Sequence, residues 1–287
     1  RLIFLGNRPR SRYHYQGKSP VTAGLAVPII KHRRKIMAYR YDSDLEFLKE
    51  IKSDDLGDLV YCITHDKDGE VRYTEELTTS EDYKEHHPDH SQYWESIAAE
   101  IQCFGANSLA TVLRGGKGVG YKEVLTDVCD KMKVNYSSDS SAEKIENNLL
   151  MKILTDAIEN MSPEELKELA ESTGVKNTSG ITPEAMVGVF QAVFRAGGFK
   201  SYQLTLIIVN AVMKALIGRG LSFAGNAALT RTMAVLTGPI GWVITGLWTA
   251  IDVAGPAYRV TIPAVIQVAV LRQKCLYEKQ AEEVEFN

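Results

Sequence analysis

Apolar residues recur at helical spacing along most of the chain after the first forty residues. Ser43 and Glu46 stand in the spacing of a capping box and precede the first such pattern. The same periodicity predicts further helices over 91–104, 121–134 and 140–161. No convincing hairpin pattern and no fixed-period repeat interrupts them. The sequence therefore predicts an all-α, multi-helix bundle.

The pattern changes in the second half of the chain, where helices lose their polar face. Pro163 and Pro183 each follow a Ser or Thr and stand where the first residue of a helix is expected. Beyond the second of these starts, 204–217 is apolar nearly all round, and 260–271 is a further apolar segment. Because a helix without a polar face has to be covered, these segments predict a glycine-rich apolar C-terminal helical module.

An uncharged run from Thr232 to Ile251 has about the length that a bilayer-spanning helix needs. A Gly-Pro pair within it favours two short packed helices instead. Small residues let helices pack closely, and tryptophans are typical of interfaces. The residues predicted to contact a membrane or a partner are Trp242, Trp248, Gly238, Pro239, Gly241 and Gly246. Burial in a soluble bundle, membrane contact and a membrane span remain open.

Charge divides the chain into regions of opposite sign. Nine basic and no acidic residues occupy 1–36, the net charge of 37–202 is −14, and that of 203–272 is +4. This distribution argues against nucleic acid as the main partner, and the basic apolar part could face anionic lipid or pack against the acidic part. The basic leader at 1–36 is interpreted as extraneous to a natural start at Met37, as a disordered arm or as a processed targeting segment. The other predicted divisions are an acidic helical module at 37–178, an apolar helical module at 181–274 and a polar tail at 275–287.

A cluster of potential metal ligands lies before the helix predicted at 91–104. His86 and His90 are four residues apart and would share one face of a helix, which Asp89 could join. Pro88 opposes a helix through this segment, and a solvated helix entry explains the same residues. The segment is therefore a candidate metal site with a structural alternative.

No motif of a nucleophilic enzyme or of a cofactor site stands out elsewhere. The glycine-rich segment that starts at Gly115 lacks the Ser or Thr that a phosphate-binding loop places after its lysine, so it is interpreted as a connection between helices. The cysteines form no CxxC pair, and each lies in an apolar helical pattern; they are Cys62, Cys103, Cys129 and Cys275. We expect reduced, buried thiols of a cytoplasmic protein, and no cofactor.

Three separated blocks of sequence carry a family resemblance. They are DSDLEFL, then WESIAAEIQCFGANSLATVLRGG with YKEVLTDVCDKMKV, then AYRVTIPAVIQVAVLRQ. In this order they resemble the bacterial YaaW-like family, which is linked to the ubiquinol–cytochrome c chaperone superfamily. The likeness runs from Tyr41 to Lys274 and leaves out the basic leader. The matching positions are Trp94, Phe104, Gly105, Arg114, Gly115, Tyr258, Arg259 and Pro263.

The resemblance implies no particular reaction, and structural roles explain most of the matching positions. Arg259 stands at the edge of an apolar helix and needs a partner, for which Asp252 is the candidate. Three functional hypotheses follow. The first is a non-enzymatic helical protein, chaperone-like or an assembly factor, that binds a protein partner or a membrane surface through 203–272, in the cytoplasm or at the inner membrane. The second is a membrane-perturbing, pore-forming-like effector with a stored apolar hairpin. The third is a metal-dependent enzyme centred on His86, Asp89 and His90.

Overall fold

Helices make up nearly all of the regular structure in the computed structural model, which describes residues 39–72, 75–105, 118–172, 175–222, 239–250 and 258–285. The α-helices of these ranges are α1 Ser53–Thr64, α2 Glu81–His86, α3 Trp94–Gly105, α4 Tyr121–Lys131, α5 Ala142–Glu159, α6 Pro163–Ser172, α7 Pro183–Ala196, α8 Gly198–Ile217, α9 Pro239–Ala250 and α10 Tyr258–Glu285. Short 3₁₀-helices occupy Glu46–Glu50, Leu77–Thr79 and His90–Tyr93. No β-strand occurs among these residues, which confirms the predicted all-α fold. The basic leader at 1–36 and Gly115 lie outside the described residues.

Two proline-marked helix starts follow from local sequence. The backbone N–H of Ser162 donates to the Glu165 carboxylate at 2.8 Å, and the N–H of Glu165 donates to the Ser162 hydroxyl at 3.3 Å. This reciprocal pair satisfies N–H groups that the first turn of α6 leaves without partners. At α7, the Thr182 hydroxyl accepts from the N–H of Ala185 at 3.3 Å. Both predicted starts are confirmed.

Two other predicted starts need correction. Ser43 does not cap a helix, and the 3₁₀-helix Glu46–Glu50 forms without a side-chain cap. α5 begins later than predicted, because Ser141 rather than Ser140 accepts from the N–H of Lys144, at 3.3 Å. Adjacent serines cap equally well.

α10 is the central helix of the described structure. It packs against α8 and α1 and also against α3, α4 and α5, whereas α9 packs against α8, α5 and α6. Every residue from Val260 to Leu271 is buried, which explains why this part of α10 has no polar face in the sequence. The buried apolar residues form one core to which helices on both sides of residue 180 contribute. The boundary between the predicted acidic and apolar modules therefore runs through shared packing.

α10 also continues through its internal proline. The sequence suggested that the apolar segment closes at Arg272, before a polar tail, but the helix extends to Glu285. Pro263 has no N–H to donate to the carbonyl of Arg259, four residues earlier. The guanidinium of Arg72 donates to that carbonyl at 3.4 Å instead. A side chain from the acidic half thus replaces the backbone hydrogen bond that the proline removes.

Candidate functional site

In the described chain, four ion pairs join acidic side chains between residues 50 and 146 to basic side chains between residues 219 and 279. We call this set the charged seam; its members are Glu50–Lys279, Asp55–Lys274, Asp58–Arg219 and Glu146–Arg272. The sequence left open whether the basic apolar part faces lipid or packs against the acidic part. In these pairs the cations are neutralised within the molecule, so the seam supports packing.

Arg272 is the most buried cation of the charged seam. Its Nε donates to Glu146 at 2.8 Å, and one Nη donates to the same carboxylate at 3.2 Å and to the carbonyl of Asp44 at 2.7 Å. The Tyr121 hydroxyl donates to Glu146 at 2.6 Å. Burial by itself lowers the pKa of Arg272, but Glu146, Tyr121 and Asp44 together outweigh it and the pKa is raised. The side chain of Glu146 is 1% exposed, so this pair ties α5, α10 and the N-terminal segment together.

Asp58 holds the segment that follows α8. Its carboxylate accepts from Arg219 Nη2 at 2.8 Å and from the N–H and hydroxyl of Ser222 at 2.8 and 2.7 Å. Gly218 has a positive φ of 78°, and a Cβ there would lie 2.8 Å from the carbonyl oxygen of Lys67. Only glycine fits this close approach without a shift of the backbone. The end of α8 is thereby fixed against α1 and the turn after it.

α9 presents an apolar surface instead of a charged one. Ile244 and Trp248 point into the core, with 0% and 4% of their surface exposed. Trp242 is 77% exposed, and Gly246, one turn further on, faces open space. We call Trp242 and Gly246 the Trp242 face. A helix that is apolar all round is normally buried on all sides, so this exposed face is the candidate partner-binding surface.

The residues predicted to contact a membrane or a partner separate into two groups on α9. Trp242 and Gly246 are exposed, whereas Trp248 and Gly241 are buried. Pro239 begins the helix, and Gly238 lies outside the described residues. Within the described ranges, no helix combines the length and the apolarity needed to cross a membrane. Of the predicted contact residues whose burial is described, the exposed ones lie on one side of α9.

The predicted ion pair of Asp252 and Arg259 stays a prediction, because Asp252 lies outside the described residues. Arg259 itself is exposed, near the start of α10. What the structure adds at this position is the hydrogen bond from Arg72 to the Arg259 carbonyl. The structure therefore shows a hydrogen-bond partner for the backbone carbonyl of Arg259, whereas the sequence had suggested one for its side chain.

The candidate metal ligands do not form a common site. α2 ends at His86, and the Asp89 carboxylate accepts from the N–H and hydroxyl of Ser91, at 3.3 and 2.6 Å. His90 is hydrogen-bonded to the Tyr93 hydroxyl, and burial lowers its pKa. Among the described residues, no three His, Cys, Asp or Glu side chains are placed to hold a metal ion. His86 and His90 do not share a helix face, because α2 ends at His86 and the next helix begins only at His90.

The cysteines behave as packing residues. Cys62, Cys129 and Cys275 are buried, Cys103 is half-buried, and none forms a disulfide. Burial raises the pKa of Cys129 to about 12, and it raises the pKa of Cys62 further. A thiol that stays protonated is a poor nucleophile. Buried cysteines of this kind give no support to a thiol enzyme.

One buried carboxylic acid of α3 was not predicted from the sequence. Glu100 is 1% exposed, and both of its oxygens accept from the N–H of Glu76 at 3.3 Å. Burial, with Glu75 and Glu76 nearby, raises its pKa to about 8. The available signal was its position beside Ile97 and Ile101 on the apolar side of the helix. Among the described residues this acid has no basic partner, unlike the acids of the charged seam.

Comparisons with known proteins place the chain in a family. A model of the ubiquinol-cytochrome C chaperone matches residues 89–266, and a model of a domain of unknown function (DUF3944) matches residues 39–73. A UPF0174 protein of Helicobacter pylori strain J99 is 54% identical over 238 residues, which cover 83% of this chain and 94% of that protein. The UPF0174 protein YaaW of Escherichia coli strain K12 is 33% identical over 240 residues, which cover 82% and 95%. No solved structure matches. The chain therefore belongs to the UPF0174 family, the family of YaaW, and carries a ubiquinol-cytochrome C chaperone domain.

Proposed function

We propose that this protein is a non-enzymatic, chaperone-like binding protein that holds a polypeptide partner against the Trp242 face of α9. The family domain supports a chaperone-like role. The observation that carries the choice of surface is the 77% exposure of Trp242 on a helix without a single charged residue. A metal-dependent enzyme at His86, Asp89 and His90 receives no comparable support.

The physical argument concerns the energy of covering this face. A tryptophan buries roughly 150–250 Å² when it is fully covered, and tryptophans are enriched among the residues that dominate binding energy. Gly246 leaves space beside the indole into which a partner side chain fits. The helix backbone is already held by the buried Trp248 on the opposite side, so binding does not have to order it.

The test measures suppression of aggregation. The full-length protein is added to a chemically denatured model protein on dilution, and light scattering is recorded for the native chain and for Trp242→Ala. We expect the native chain to reduce scattering and the variant to lose most of that effect. Tyr41→Ala is the matched control, because Tyr41 is also an exposed aromatic residue, 74% exposed, and lies far away in sequence. Equal activity of all three proteins contradicts the assignment to this face.

A second candidate is attachment of the same face to a membrane surface, including the inner membrane. The supporting observation is again the exposed indole of Trp242, since tryptophan is enriched at membrane–water interfaces. Flotation with phosphatidylglycerol vesicles tests it. Protein that floats with the vesicles, and fails to do so after Trp242→Ala, supports membrane attachment. Protein that stays at the bottom at low salt excludes it.

A further inference from the structure

The Trp242 face lies in the basic apolar part of the chain, but α9 packs against helices of the acidic part. With the nine leader cations set aside, residues 37–287 carry a net charge of −12. α9 contributes no charge, and the three helices that pack against it, α5, α6 and α8, together carry a net charge of −3. Such a field attracts cationic segments and repels anionic ones before any contact forms.

α6 concentrates this negative charge next to α9. It holds four glutamates and one lysine, and it packs directly against α9. Lys167 pairs with Glu171 at 3.9 Å, while Glu164 and Glu168 are exposed, one helical turn apart on the same side. In the described part of the chain, neither of these two glutamates forms an ion pair.

The nearby cations of the apolar half compensate for little of this charge. Arg219 contacts Asp58 of α1 at 2.8 Å, whereas Arg272 contacts Glu146 of α5 at 2.8 Å and reduces the net charge around α9 to −2. Lys200 and Lys214 on α8 are exposed and offset part of the acidic charge, and they are already included in the net value of −3. Among the described residues, the exposed apolar face of α9 thus lies on a helix that packs against α6, whose Glu164 and Glu168 form no ion pair.

We propose that the Trp242 face binds a cationic amphipathic polypeptide segment, whose apolar side chains cover Trp242 and whose lysines or arginines face Glu164 and Glu168. This inference rests on the proposed function, in which the partner is a polypeptide, and adds the chemistry of the partner. An arginine or lysine of the segment can also lie over the exposed indole. The same charges oppose an anionic bilayer as the occupant.

Isothermal titration of the full-length chain with two matched peptides tests the inference. Both peptides are helix-forming and share the same apolar positions, but one carries lysine and the other glutamate at every polar position. We expect the lysine peptide to bind about tenfold or more tightly than the glutamate peptide. Raising the ionic strength from about 0.05 M to about 0.5 M weakens its binding, because the charges lie at the protein surface.

Two variants locate the binding, and one variant controls for net charge. Trp242→Ala is expected to weaken binding of the lysine peptide about tenfold or more. Glu164→Lys/Glu168→Lys on α6 is expected to weaken it by a similar factor. The matched control is Glu81→Lys/Glu85→Lys on α2, since those glutamates have the same spacing, the first is likewise in the first turn of its helix, and both are exposed. It changes the net charge equally and is expected to weaken binding much less. Circular dichroism checks that each variant is folded.

The outcomes separate the inference from the proposed function. Equal binding of both peptides, lost on Trp242→Ala, overturns the charge inference and leaves polypeptide binding at α9 intact. Binding of the lysine peptide that Glu81→Lys/Glu85→Lys weakens as much as Glu164→Lys/Glu168→Lys overturns it too, because net charge alone then explains the preference. Binding to phosphatidylglycerol vesicles that the lysine peptide does not displace also overturns it. Aggregation suppression that Trp242→Ala abolishes, with no binding of either peptide, overturns the charge inference, keeps polypeptide binding at α9 and points to a partner of different chemistry.

Discussion

The charged seam and the Trp242 face differ in which groups they expose to solvent: the seam buries charged groups, and the face exposes an apolar one. In the seam, carboxylates of Asp58 and Glu146, each 1% exposed, are withdrawn from water and matched by arginines from the second half of the chain. On α9, an indole that is 77% exposed stays in water with no group of the described chain to cover it. The two buried carboxylates are therefore paired within the molecule, whereas the indole of Trp242 is not covered by the described residues.

This difference identifies which region stabilises the fold and which is available for binding. Removal of one partner of a buried ion pair lowers the free energy of unfolding by several kcal/mol, because the remaining charge stays in a poorly solvated site. An exposed aromatic residue contributes little to folding, and its covering contributes to binding. Substitutions in the seam should therefore change stability, and substitutions on the Trp242 face should change partner binding alone.

The largest loss of stability is expected from Arg272→Met in the seam. The substitution keeps much of the side-chain volume but leaves Glu146 buried without its cation. We expect a loss of about 3–5 kcal/mol in the free energy of unfolding, measured by urea denaturation. The control is Lys279→Met, which breaks the exposed pair with Glu50 and should cost much less, because solvent screens that pair. Adding Glu146→Gln to Arg272→Met removes the unpaired charge and should recover part of the loss; no recovery refutes the explanation by an unpaired charge.

The two tryptophans of α9 give the next contrast. Trp248→Ala empties a buried site and should destabilise the protein by about 3–5 kcal/mol, although relaxation of the helix reduces this value. Trp242→Ala should change stability by less than about 0.5 kcal/mol and yet weaken binding of the partner. Thermal unfolding and the aggregation assay measure the two effects separately. A Trp242→Ala variant as unstable as Trp248→Ala would show that Trp242 is part of the core and contradict its assignment to a binding face.

The sequence predicts local structure in this chain well because its signals are local. The proline-marked starts at Pro163 and Pro183 were found because a helix start is specified by a few adjacent residues. The segregation of charge also indicated that one half can neutralise the other. It gave no means of choosing pairs, since Glu146 and Arg272 are 126 residues apart and nothing nearby marks either as the partner of the other.

The side of α9 that faces the core could not be predicted from the sequence, for a different reason. The predicted contact set contained both Trp242 and Trp248, and the structure places one outside and the other inside. Polar residues normally mark the outer side of a helix, but α9 has no charged residue to do so. The metal hypothesis at His86 and His90 depended on a helix that does not form, because α2 has already ended.

Glu100 differs from the acids of the charged seam because it is buried without a cation from the described part of the chain. Its folded-state pKa of about 8 is raised above the unfolded value of 4.5, so the folded state prefers the neutral acid. Its contribution to stability is complete below the unfolded pKa and is lost as the pH rises towards 8, by at most about 1.4 kcal/mol per pH unit. Glu100→Gln should flatten this decline when unfolding is measured from pH 5 to about 8. Glu95→Gln, at an exposed position of the same helix, is the control and should leave the slope unchanged.

The smallest effect is expected where the acidic half contacts the backbone of α10. Arg72 donates to the Arg259 carbonyl that Pro263 leaves without a helical partner. Arg72→Met should therefore cost about 1 kcal/mol in the native background, since it leaves that carbonyl without this donor. In the Pro263→Ala background, the alanine N–H supplies the missing hydrogen bond, and the same substitution should cost close to nothing. A double-mutant cycle by urea denaturation measures this coupling, and equal costs in both backgrounds show that Arg72 does not serve the carbonyl.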